Sequence, residues 1–122
     1  MSHIVKIQTQ VRDEAAVHAA CHRRQLAEPV AGRHRIFSGE VEGLAVCLRD
    51  WTYPVVCQLQ TGELQFDNFG GRWGQQQELD QFLQAYAVEK TRIEARQRGH
   101  SVMEQSLADG SIKLTVQIGG VA

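Results

Sequence analysis

The stretch from about Gln75 to Arg98 constrains the fold more than any other, because its apolar residues recur with a single helical period. With Leu79 as the reference direction, Phe82, Leu83, Tyr86 and Ile93 all project within roughly 60° of it on an ideal helix. Such a face must be covered, at about 1.5–3 kcal/mol for each side chain buried, so the rest of the chain has to supply a receiving surface. Arg96 and Arg98 in the last turn, with Gly99 after them, form a C-terminal signature: cations meet the negative end of the helix dipole and glycine takes the left-handed conformation. Lys90 lies on the same stripe, about 20° from Leu79. Its ammonium either snorkels past the core edge or pairs with a buried carboxylate or ligand beside Tyr86.

Strands supply the receiving surface. Val5, Ile7, Thr9 and Val11 alternate with Lys6, Gln8 and Gln10, which predicts a half-buried strand over Ile4–Val11. Asp13 then offers an N-cap for a helix running to about Ala27 and stopped by Pro29, with Val17, Ala20 and Cys21 on one face. Arg33–Phe37 and Leu44–Leu48 flank the glycine-containing segment Ser38–Gly43, read as a hairpin. Pro54–Gln60 and Glu63–Asp67 meet across Thr61-Gly62 as a second hairpin, and Ser101–Leu107 meets Ile112–Ile118 across Asp109-Gly110 as a third. The order β-α-β-β-β-β-α-β-β, with helices segregated from hairpins, gives an α+β fold with a largely antiparallel sheet and two helices. Ile4–Leu48 and Glu63–Ile118 each read as strand, helix, hairpin, an order explained by either internal duplication or convergent packing.

At 122 residues the chain fits one domain, 1–122. Thirteen basic residues against fourteen acidic ones leave a formal charge of −1, which lacks the global footprint of a duplex-binding protein, so nucleic acid is not an expected partner. Two basic clusters, Arg33-His34-Arg35 and Arg92, Arg96, Arg98 with His100, read as solvated faces. No apolar run reaches membrane-spanning length and MSHIVKIQTQ has no signal-peptide character, so no membrane partner and a cytoplasmic location are expected. Cys21, Cys47 and Cys57 form neither a disulfide framework nor a CxxC pair; the apolar settings of Cys47 and Cys57 predict small core residues.

The constellations that carry chemistry are few. His18, Cys21 and His22 have the spacing of a shared metal ion on one helix face, yet no fourth ligand follows, and the expected arrangement is two solvated histidines beside a packed cysteine. Asp67–Gly74 joins a strand to the start of the long helix and is rich in glycine, where free N–H groups receive anions. It matches no nucleotide-binding loop, and its simpler reading is a tight connection in which Phe69 and Trp73 plug the sheet edge. Trp51 and Tyr53 place two large aromatics in one loop, a partner anchor or a cover over the core. No Ser-His-Asp ordering, HExxH or paired carboxylate motif marks a catalytic residue, and no cofactor is assigned.

Met1-Ser2-His3 leading into Thr9-Gln10, Tyr86-Ala87 followed by Glu89-Lys90, Gly99, and the closing Asp109-Gly110-Ser111-Ile112-Lys113-Leu114 give the chain a resemblance, nearly end to end, to the domain-of-unknown-function 1257 family, similar to a hypothetical reading frame of red-algal plastids and cyanobacteria. The resemblance implies a stand-alone domain whose partner is an AAA-type ATPase, a ferredoxin or another small protein, and it transfers no catalytic residue. Asn68–Trp73 departs from the compact aromatic segment of the plastid members. The leading expectation is a non-enzymatic accessory or protein-interaction domain that binds through Trp51 and Tyr53. The alternatives are a small-anion binder or enzyme using His3, Arg72, Trp73, Tyr86 and Lys90, and a metal-binding protein. An open strand edge would also invite a homodimer.

Overall fold

The computed structural model describes residues 4–37 and 39–119. Its elements follow the predicted order: β1 (Val5–Gln8), α1 (Glu14–Arg23), β2 (Val30–Ile36), β3 (Gly39–Val46), β4 (Val55–Gln58), β5 (Glu63–Phe66), α2 (Gln76–Gln97), β6 (Ser101–Ser106) and β7 (Ile112–Gln117). The first five strands form one antiparallel sheet in the order β1-β5-β4-β3-β2, and β6 pairs with β7 in a second sheet. Two compact units result, residues 1–86 and 87–122, with the division falling inside α2. The α+β class holds, and all strand pairs are antiparallel.

In the first unit, alternation sorts the sheet into two faces. Leu44, Val46, Val55, Cys57, Leu64 and Phe66 share one and are buried. α1 lies over this face, burying Ala16, Val17, Ala20 and Cys21, and its Glu14 shares a cleft with Leu44 and Cys57. Small residues on α1 let the helix come close to the sheet. Arg24 at the end of α1 reaches Glu78 (3.4 Å) and Gln81 (2.5 Å) near the start of α2, while Tyr86 reaches the start of α1, so the two helices run antiparallel. On the other face Ile36, Val41 and Val56 form a core cluster joined by Ile4 and Tyr53.

Among the boundaries that differ from the sequence expectation, three have a clear local reason. β1 stops at Gln8 because the Thr9 hydroxyl turns the chain, donating to the Gly62 carbonyl (2.6 Å) and accepting from the Val11 N–H (3.0 Å). α1 does start at the expected cap, Asp13 Oδ1 accepting from the Ala16 N–H at 3.2 Å. It ends four residues earlier than expected, at Arg23, through a Schellman arrangement: Leu26 N–H donates to the Cys21 carbonyl and Gln25 N–H to that of His22, with Gln25 left-handed at φ 59°. Pro29 is therefore not the stop. The glycines of 39–43 do not make the first hairpin turn either. Ile36 pairs with Gly39, which already belongs to β3, and Gly43 lies mid-strand. A Cβ there would come within 2.7 Å of the Cys57 carbonyl oxygen and 2.8 Å of Val56 Cγ1; close strand approach is what requires glycine.

On α2, Leu79, Phe82 and Tyr86 are buried as predicted, but Leu83 and Ile93 are only half-buried, and Ala85, Val88 and Ala95 are buried in addition. Cys57 is buried as expected, whereas Cys47, beyond the end of β3, is exposed. In the second unit, the Arg92–Glu104 ion pair (2.6 Å) ties α2 to β6, and the Asp109 carboxylate accepts from the Ser111 N–H (3.0 Å) and hydroxyl (2.6 Å) to close the last hairpin. No described helix is long and apolar enough to cross a membrane.

Candidate functional site

The loop from β5 to α2 is built around its own backbone. Asn68 accepts from the Gly71 N–H (3.0 Å) and the Trp73 N–H (2.9 Å) through its carbonyl, and its side-chain amide donates to the Gly74 carbonyl (3.1 Å). Asp67 Oδ1 accepts from the Phe69 N–H at 3.1 Å. Phe69 sits at φ 48°, a left-handed conformation that costs a non-glycine residue about 1–2 kcal/mol, and this bend turns the loop back so that residues 69 and 73 meet.

Trp73 becomes the hub of an aromatic cluster. Its ring stacks on Phe69 (centroids 4.7 Å apart, 23° between planes), meets Phe37 at 4.9 Å and contacts Tyr53 edge-on at 5.6 Å. Phe37 and Tyr53 lie 6.4 Å apart. The Arg72 guanidinium is exposed and sits 5.4 Å above the Phe69 ring, within cation–π range. Thr52 N–H donates to the Trp73 carbonyl (2.8 Å), joining the loop that bears Tyr53 to the loop that bears Trp73. Phe37, at the tip of the β2–β3 hairpin, is 45% exposed, and the other three rings are half-buried. Three loops distant in sequence thus build one aromatic surface with a cation at its rim.

The sequence singles out Tyr53, Phe69, Arg72 and Trp73 of this group, and the structure brings them together. Phe37 is missed because the misplaced turn hides it inside a strand; the pairing of Ile36 with Gly39 puts it at a tip. Trp51 has another use: its ring packs on Phe66 (5.5 Å), its indole N–H donates to the Gln75 carbonyl (3.1 Å), and any Cβ on Gly74 would run into it. It is a cover over the core.

The remaining candidates are not assembled into one pocket. His3 lies outside the described residues. The Tyr86 hydroxyl is committed to backbone, accepting from the N–H groups of Arg12 (3.1 Å) and Asp13 (3.0 Å) and donating to the Gln10 carbonyl (3.3 Å). Lys90 Nζ lies 3.7 Å from Glu94, one helical turn on, with both side chains partly exposed. Arg72 lines a cleft of about 220 Å³ with Arg49, Gly74 and Gln75 at the start of α2; Asp50 and Glu78 line it too and offset the two arginines toward an anion. A larger groove, about 570 Å³, runs along β2–β4 between Glu14 and Glu42.

On α1, His18 has both ring nitrogens beside carboxylates, Glu28 at 2.8 Å and Glu14 at 3.6 Å. Burial, then Glu28 and Cys47, push the Cys21 thiol up to about 11, which opposes the thiolate a metal needs. Among the described residues no group of three His, Cys, Asp or Glu side chains is placed to hold a metal. Comparisons with protein-family models, curated proteins and solved structures each found no match.

Proposed function

We propose that this chain is a non-catalytic accessory domain that docks another protein on the surface formed by Phe37, Tyr53, Phe69 and Trp73, with Arg72 at its rim. The observation that carries the reading is the cluster itself: four rings from three loops, one of them 45% exposed, gathered around Trp73 on a loop in which Phe69 is left-handed. Aromatic residues and arginine are the types that dominate binding energy at protein interfaces. The matching partner presents an apolar side chain for the rings and a carboxylate for Arg72. Resemblance to the domain-of-unknown-function 1257 family belongs to the same proposal, and it makes an AAA-type ATPase or a ferredoxin the first partners to try.

The test is capture of a partner by the full chain, repeated with Phe37→Ser and Arg72→Glu. Both positions are exposed, so the fold, checked by circular dichroism, should persist. Loss of an anchor is expected to weaken binding by about 30-fold or more, the hot-spot range. No specific partner, or a partner set indifferent to both changes, overturns the reading.

A further inference from the structure

β6 and β7 pair only with each other among the described residues, from Ser101↔Gln117 to Ser106↔Ile112. An isolated two-stranded sheet is marginal in water, and stability ordinarily requires further strands or a covered face. Here the cover is partial. Val102, Ile112, Leu114 and Val116 share one face; Val102, Ile112 and Leu114 are half-buried and Val116 is 42% exposed. Met103 and Ile118 are more open still, at 60% and 76%. The hairpin therefore carries apolar surface and unpaired backbone on the same element, the pattern of a strand edge that acquires a neighbour.

The sequence of β7 indicates which neighbour fits. In an antiparallel pair related by a two-fold axis normal to the sheet, directly opposed residues point to the same face, so the axis passes through one residue and its own copy. Centred on Leu114, β7 sets Leu114 against Leu114, Ile112 against Val116 and Lys113 against Thr115. Apolar meets apolar along one face, and no charge meets its like. Centred near their midpoints, the other long edges fail this test. β6 centred on Glu104 opposes two glutamates and centred on Met103 opposes Val102 with Glu104, while β2 centred on Arg33 or His34 opposes arginine with arginine.

We propose that the chain forms a symmetric homodimer in which the β7 strands of two copies pair antiparallel about Leu114, giving a four-stranded sheet β6-β7-β7-β6.

Sedimentation of the full chain across a wide dilution series should show a dimer that dissociates on dilution. Leu114→Glu opposes two carboxylates at the axis and should raise the dimer dissociation constant by about tenfold or more, whereas Met103→Glu on the outer edge of β6 should not. Because Leu114→Glu could also disturb the hairpin, a second variant reads the register directly. Cα atoms opposed across an antiparallel pair lie about 4.5–5.5 Å apart, inside the range a disulfide spans. Leu114→Cys, with the exposed Cys47 changed to Ser, should therefore oxidise to a covalent dimer, and Gln117→Cys in the same background should not. A chain monomeric at all concentrations, a dimer untouched by Leu114→Glu, or a dimer in which Leu114→Cys stays reduced overturns the proposal.

Discussion

Tyr86 illustrates what a single residue can be asked to do. Its ring belongs to the apolar stripe of α2, but its hydroxyl gathers three backbone groups of the segment entering α1: the N–H groups of Arg12 and Asp13 and the carbonyl of Gln10. Those groups come before the helix can satisfy its own, between the end of β1 and the first turn of α1, so the phenol stands in for an absent ladder. Tyr86→Phe keeps the ring and removes the acceptor, leaving two partly buried donors unpaired. We expect a loss of about 1–3 kcal/mol of stability, read as a lower urea midpoint with unchanged m-value. Lys90 has the opposite character: with Glu94 one turn away and both side chains partly in solvent, the pair contributes at most about 0.5 kcal/mol. Periodicity puts Tyr86 and Lys90 on one stripe, but it says nothing about where a terminal hydroxyl or ammonium finds its partner. That partner, for Tyr86, lies more than seventy residues away.

At the scale of elements, α1 shows how a helix ends without the usual residue. Gln25 fills the position that glycine normally takes in a Schellman cap, at φ 59° and exposed. The left-handed conformation costs a residue with a Cβ about 1 kcal/mol or more, so Gln25→Gly should stabilise the chain by about 0.5–1 kcal/mol, net of the entropy glycine adds to the unfolded state. Thermal melting should shift upward; no shift, or a lower midpoint, would mean that the glutamine side chain stabilises the turn. The same cap explains why the sequence overextends α1: Pro29 is visible as a breaker, whereas a left-handed glutamine has no composition signal. The glycines of 39–43 mislead in the converse way, since turn and close strand approach both select glycine and only the register, Ile36 with Gly39, separates them. Strong periodicity in α2 and the alternating strands is legible because burial imposes it, and so are ends marked by a signature residue, the Asp13 cap and the left-handed Gly62, Gly99 and Gly110; an end without such a residue, as at Gln25, is not.

For the molecule as a whole, the element order and class follow from the sequence, but the aromatic surface does not. Phe37, Tyr53, Phe69 and Trp73 come together because the end of β2, the loop ahead of β4 and the loop ahead of α2 converge in space, and no spacing rule links three such segments. Burial of the cysteines is likewise decided by the assembled first unit. Cys57 on the sheet and Cys21 on α1 are enclosed between helix and strands, and burial raises their thiols from an ordinary 9.0 to about 12 and about 11, with Cys21 adding to the rise at Cys57. Both folded values lie above the unfolded one, so the folded chain keeps protons that the unfolded chain gives up. The stability this contributes is complete below about pH 9 and is lost progressively as the pH climbs through the raised values. Urea midpoints measured on either side of pH 9 should therefore fall steeply on the alkaline side. Cys57→Ala lowers the midpoint at neutral pH by opening a small cavity, yet it should flatten the alkaline decline, because one of the two titrating thiols is gone. If the decline keeps its full slope in Cys57→Ala, the thiols are not its source.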